Sequence, residues 1–172
     1  MRKLLLLTFL FLLVFGVTAD ASAYGSLKGT ITWQYNNYVG TKGDVEAKVI
    51  VIPDNINSES ISETDGTSLI NSGIVPQNSG IFYAEADGYG NYEINGLNPG
   101  DYSVLIISNK TTRNSNEPIY DGVKQLLLLF LKSNDKIINN YYIKWKKHTV
   151  KKVTIREGVT SICSQDFGNT YM

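Results

Sequence analysis

The chain reads as an all-β protein: a seven-stranded sandwich of two sheets with one inserted helix near 121–132. Three observations carry that reading. Apolar and polar residues alternate with period two in several short runs. Glycine, asparagine, aspartate and proline recur between those runs at turn spacing. One run, "YDGVKQLLLLFLKSND", instead places its apolar residues at helical spacing.

The elements follow in chain order. Arg2 and Lys3, the apolar run "LLLLTFLFLLVFGV" and the small residues Ala21-Ser22-Ala23 form the three parts of a secretory signal, so residues 1–23 are expected to be removed. The mature chain, 24–172, then starts at Tyr24. An uncleaved anchor is the alternative, but the run is short for a span of roughly 20 residues and no basic stop-transfer cluster follows it. In "SLKGTITWQY", Leu27, Ile31, Trp33 and Tyr35 alternate with Lys28, Thr30, Thr32 and Gln34, the pattern of a half-buried first strand. In "VEAKVIVIP" both faces become apolar, which predicts a central strand that ends at Pro53, where a ladder donor is missing.

Residues 53–80 are rich in serine, asparagine and glycine and read as a long loop, with a short hairpin considered around Leu69 to Val75. After the strand "IFYAEA" comes "DGYGNYEINGLNPGDYSV". There Asp87-Gly88 and Gly90-Asn91 supply turn chemistry, and Asn98-Pro99-Gly100 suits a turn with proline in its second position. Tyr92, Ile94, Leu97, Tyr102 and Val104 fall on the inward positions. In the segment 121–132, Asp121 is the expected N-cap and Val123, Leu126, Leu127, Phe130 and Leu131 form one buried stripe. A strand at 126–131 remains the alternative. Leu128 and Leu129 point away from that stripe and are the candidate interaction surface, with self-association its simplest form. "NNYYIKWKKHTVKKVTI" alternates Tyr141, Ile143 and Trp145 with Tyr142, Lys144 and Lys146, which predicts a strand with a solvated lysine face.

Composition narrows the function. The whole chain balances 16 basic against 16 acidic side chains, and loss of Arg2, Lys3 and Asp20 leaves 14 against 15. That balance offers no electrostatic footprint for nucleic acid. Cys163 is the only cysteine, so no intrachain disulfide can form and stability must come from burial.

The hairpin resembles the carboxypeptidase regulatory-like family, the transthyretin-like, Ig-like sandwich modules with the pattern D-x-x-G-x-Y-x-I-x-x-L-x-x-G-x-Y-x-V. Asp87, Gly90, Tyr92, Ile94, Leu97, Gly100, Tyr102 and Val104 fill it in register. "GSLKGTI" and "EAKVIVI" look like the first two strands of that module, and "KKVTIREGVTSICSQDF" looks like its last pair. The resemblance covers roughly 26–52, 81–108 and 150–167, and it implies a fold more than a task.

Chemistry-bearing patterns are sparse. His148 is the only histidine and is expected to face solvent, no nucleophile elbow is present, and "NTYM" does not reproduce the motif of the hydrolase branch of transthyretin-like proteins. Asp87, Asn91, Asn95 and Asp101 read as turn formers rather than calcium ligands, since their spacing matches no twelve-residue calcium loop. Collagen-adhesin modules of a neighbouring family form a lysine isopeptide bond. Lys28 or Lys48 with Asp166 or Asn169 are the conceivable partners, yet "YSVLII" lacks the usual glutamate and no crosslink is expected. Tyr35, Tyr38, Tyr83, Tyr89, Tyr141 and Tyr142 could stack on sugars, although core positions are the favoured reading.

The expectation is an exported, non-catalytic module, secreted or at the cell surface, without metal or cofactor, that binds a protein or carbohydrate partner. An envelope spacer, a carbohydrate-binding accessory module and a small hydrolase are the alternatives.

Overall fold

The computed structural model describes residues 23–169. Residues 1–22 of the expected signal peptide, and residues 170–172, lie outside that range. Among the described residues nine strands form two sheets, the first of five strands and the second of four, rather than the seven expected. The sandwich prediction itself holds.

The first sheet is organised by β1 (Gly25–Asn36), which is long enough to take different partners at its two ends. Its first half pairs antiparallel with β5 (Asn91–Leu97) and parallel with β8 (Thr160–Ile162). Its second half pairs antiparallel with β2 (Gly40–Gly43) and parallel with β9 (Gln165–Asn169). The alternation in "SLKGTITWQY" is realised in its first half, where Leu27 and Ile31 are fully buried, and not in its second, where Trp33 is half-buried and Tyr35 is exposed. Neither β2 nor the division of the C-terminal pair into β8 and β9 is legible as alternation. In "GTKG" no apolar residue marks a face, and the strand exists because the Asn36 carboxamide accepts the amides of Tyr38 and Val39 at 2.9 and 2.7 Å and folds the chain back.

The second sheet runs β4-β3-β6-β7, all antiparallel, from β4 (Phe82–Glu85), β3 (Lys48–Pro53), β6 (Gly100–Thr112) and β7 (Lys146–Ile155). β3 is central, as its two apolar faces require. Val49 and Val51 point into the core between the sheets with Tyr92, Ile94, Leu97, Tyr102 and Val104, all buried. The Tyr92 hydroxyl donates to the Cys163 carbonyl at 2.6 Å and that of Tyr102 to the Asn98 carbonyl at 2.9 Å, so both rings bury without an orphaned oxygen.

Ile50, Ile52, Leu105 and Ile107 leave the other face of this sheet and enter a second core beneath a layer of helices. That layer corrects three expectations. Residues 53–80 are not a structureless loop and hold no hairpin: a 3-10 turn at Ser58–Ser60 precedes α1 (Glu63–Ser72). The polar composition hid a capping box, in which the Ser62 hydroxyl accepts the Asp65 amide at 3.1 Å and the Asp65 carboxylate reaches back to the Ser62 amide. Leu69 and Ile70 then bury the helix. Gly66 permits its close approach to the next helix, since an added Cβ would lie 2.5 Å from the Phe130 carbonyl oxygen.

The expected helix is α2 (Asp121–Leu131), with Val123, Leu126, Leu127, Phe130 and Leu131 all buried. Its N-cap is Tyr120, without a side-chain bond, and Asp121 sits in the first turn, where a carboxylate still favours the helix dipole. The third correction concerns 134–145, read in part as a strand. It folds as α3 (Asn134–Asn139) and α4 (Tyr141–Trp145), because Ile137 and Ile143 both bury in the second core and Asn140 caps α4 through the Ile143 amide. Thus 121–132 is one part of a four-helix layer, not a lone insertion.

Candidate functional site

Two grooves meet at Tyr120, a residue that is 75% exposed. The larger, about 540 Å³, lies between α2 and the outer part of the second sheet, over Ile52, Leu126, Leu129 and Val150. One end is polar. The Asp54 carboxylate receives Lys152 Nζ at 2.8 Å and the hydroxyl of buried Ser103 at 2.8 Å. Partial burial opposes ionisation of Asp54, but these two donors and the Lys152 charge outweigh it and hold the carboxyl below its ordinary value. Beyond the Pro53–Ile56 segment a second, amide-rich cavity of about 470 Å³ is lined by Asn55, Asn57, Asn78 and Asn98.

The groove on the other side of Tyr120, about 270 Å³, is lined by Arg113, Glu117, His148, Gln165 and Phe167. Arg113 fixes the rim that carries Tyr120. Its guanidinium donates to the carbonyls of Glu117 and Pro118 and, at 3.3 Å, to that of Lys144, while its amide bonds the Trp145 carbonyl at 3.0 Å. An exposed aromatic on a loop held at four points is presented rather than left loose.

Leu128 and Leu129 are both half-buried and pack against the second core, so they are not a free apolar pair. Helical spacing places them off the main stripe, yet both still pack against the second core. Leu129 also lines the larger groove, and Leu128 does not. Tyr120, Arg113 and Asp54 were missed, because no sequence periodicity marks loop residues that meet only through packing.

His148 does not face solvent as expected. It is half-buried, with Nδ1 2.9 Å from the Lys146 carbonyl, its only hydrogen bond among the described residues. Burial, assisted by the Arg113 charge, pushes its pKa below the ordinary histidine value. The unfolded chain therefore binds this proton more readily, and stability is lost as pH falls below about 6.5. The melting temperature of the wild type should fall between pH 7.5 and 5 by more than that of His148→Gln, as followed by circular dichroism. Equal decline in the two proteins would assign the pH dependence elsewhere.

Lys48, 7% exposed, enters the second core beside α1. Its ammonium donates to the Asn71 carbonyl at 3.0 Å and the Tyr83 hydroxyl at 3.3 Å, and lies 4.5 Å from the centre of the Tyr142 ring. Burial lowers its pKa against the opposing pull of Glu85 and Glu46. Asp166 and Asn169, the conceivable crosslink partners, lie on β9 in the other sheet, and this lysine faces neither.

The tyrosines divide. Tyr83 and Tyr142 pack against the second core, but Tyr35, Tyr38, Tyr89 and Tyr141 are 50%, 99%, 82% and 59% exposed, which reverses the favoured core reading for those four. Asp87 Oδ1 accepts the amides of Tyr89 and Asn91 at 2.8 and 2.9 Å, and Asp101 accepts Thr154, so these oxygens act as turn and cross-strand acceptors. Among the described residues no three histidine, cysteine or carboxylate side chains cluster.

No family model matches the chain, and no curated protein matches it. Among solved structures it is similar to the minor pilin of the Gram-positive pathogen Streptococcus agalactiae, at 14% identity and a TM-score of 0.46, over 88% of this chain and 47% of that one. It is also similar to a candidate carbohydrate-binding protein of Pseudomonas aeruginosa, at 11% identity and a TM-score of 0.43, over 87% of this chain and 92% of that one. The chain spans about half the length of the pilin. No helix among the described residues is long and apolar enough to cross a membrane.

Proposed function

We propose that the chain is an exported, non-catalytic sandwich module of the carboxypeptidase regulatory-like type, and that it recognises a partner through the side of the molecule centred on Tyr120. The observation that carries the reading is the meeting of two grooves at an exposed ring whose loop is pinned by Arg113. Apolar floor, aromatic rim and a few fixed polar groups are what a recognition surface uses. Export is supported by the order of the sequence: the signal pattern ends at Ala23, and β1 begins at Gly25. Leu129 belongs to this surface as the wall of the larger groove. Leu128 stays with the helical layer.

The test uses mature protein recovered outside the cytoplasm as bait against envelope and culture fractions. N-terminal sequencing should give Tyr24 or a close neighbour. The double variant Tyr120→Ser, Leu129→Lys should melt within a few degrees of the wild type and lose the captured partners. Capture of the same partners by both baits would remove the Tyr120 surface from the function.

A further inference from the structure

The outer edge of β7 is the part of this surface that main-chain geometry defines. The Asp54 amide bonds the Asp101 carbonyl at 3.0 Å, so residues 101, 103, 105 and 107 of β6 bond toward β3. The residues between them bond toward β7, where their partners are Thr149, Lys151, Val153 and Ile155. The main-chain groups of His148, Val150, Lys152 and Thr154 therefore point away from the sheet. The Thr154 carbonyl is taken by the Ser161 hydroxyl at 3.1 Å. Those of His148, Val150 and Lys152 meet no partner among the described residues. Both grooves follow this stretch: Lys147, His148 and Thr149 line the smaller, and Val150 and Lys152 the larger.

We infer that this edge is a docking strand for an extended acidic segment of a different protein, which adds to the second sheet beside β7. The inference rests on the reading of the Tyr120 side as the recognition face and names the kind of partner. His148 to Lys152 offers three donors and three acceptors over about 17 Å, the reach of a five-residue strand. Charge selects the partner. Lys146, Lys147, Lys151 and Lys152 crowd the strand, yet only Lys152 has a carboxylate within 4 Å among the described residues. Lys147 and Lys151 reach across to the carbonyls of Phe167 and Ser164, and Lys146 to that of Asn109, all neutral acceptors. Acidic side chains on an added strand would meet these charges, with Tyr120 standing over the junction of the grooves. A second copy of β7 is the wrong occupant. Antiparallel pairing about Val150 would set Lys152 opposite His148 and gather the lysines of both copies in one ribbon, an arrangement that lysine-bearing edges prevent.

The probe is the synthetic peptide acetyl-Thr-Val-Glu-Val-Asp-Val-amide added to the full mature chain, with amide hydrogen exchange followed by NMR. Exchange at His148, Val150 and Lys152 should slow about tenfold or more, while the same peptide with lysine in place of its acids has no effect. Peptides N-methylated on alternate residues should lose the protection in one register only. Val150→Pro removes an outward donor while leaving the β6 ladder intact, and should also abolish it. Unchanged exchange at the three amides under saturating acidic peptide would overturn the inference, as would equal protection by both N-methylated forms. If the amides stay unprotected while Tyr120→Ser, Leu129→Lys still abolishes capture, strand addition is wrong and the recognition face stands. If capture survives that double variant, the face itself is wrong.

Discussion

Asp44→Ala should lower the unfolding free energy by about 3–5 kcal/mol, measured by urea denaturation with an unchanged slope. Asp44 is 0% exposed, and its carboxylate serves the irregular stretch of β6 between Ile107 and Thr112. One oxygen accepts the amides of Asn109 and Lys110 at 3.0 and 2.9 Å, and the other accepts the Ser108 hydroxyl. Ser108 Oγ in turn receives the Thr111 amide at 2.8 Å and the Thr111 hydroxyl at 2.6 Å. Truncation strands three donors around a fully buried carboxylate, at about 1–3 kcal/mol each, partly offset because the buried charge is itself costly. That cost shows in the carboxyl pKa, which burial raises although every donor around it acts to lower it. A raised pKa means that the stabilisation due to protonated Asp44 is complete below the unfolded value near 3.8 and is lost as pH rises through the folded value. The margin of wild type over Asp44→Ala should therefore narrow across that window and stay constant above it. Asp44→Asn should fall between the two, since its amide keeps one acceptor but turns a donor toward Ser108. A loss below about 1 kcal/mol for Asp44→Ala would mean that the 108–112 stretch holds itself.

Gly90→Ala should cost about 2–5 kcal/mol by the same measurement, through two additive causes. Gly90 has φ of 85°, where a side chain costs about 1–2 kcal/mol. A Cβ there would also stand 2.2 Å from the Ile31 carbonyl oxygen and 2.8 Å from Gly43 Cα, both backbone atoms that cannot turn aside. The turn cannot shift alone. The Ile31 amide bonds the Gly90 carbonyl at 2.8 Å, and the Ile31 carbonyl accepts the Asp44 amide at 2.8 Å. The two predicted losses thus share one chain of contacts and should not add in the double variant. A Gly90→Ala protein as stable as the wild type would show that β1 can move away from the turn.

What was legible in the sequence follows a single physical rule. Side chains alternate across a strand and wind around a helix, so an element that buries one face against a neighbour writes that face into its own residues. Leu27 and Ile31, Tyr92 to Val104, and the stripe from Val123 to Leu131 were readable for that reason, and Ile50 and Ile52 even announced the second buried face of β3. Turn chemistry at Asp87 to Gly90 was equally local, since aspartate and glycine act on their own backbone.

What alternation cannot express had to come from the tertiary structure. α1 is specified by a capping box and only two buried large apolar side chains, Leu69 and Ile70, too thin a stripe for a polar segment to declare. α4 alternates like a strand, yet Ile143 needs the second core and Asn140 caps the turn. The sequence alone determined a sandwich and its inward residues. Only packing decided that the sheet carries a helical layer, that Leu128 and Leu129 are half covered, and that Tyr120, Asp54 and the open edge of β7 lie on one surface. Those residues come from three separate stretches of chain, and what relates them is distance in space, for which no local period exists.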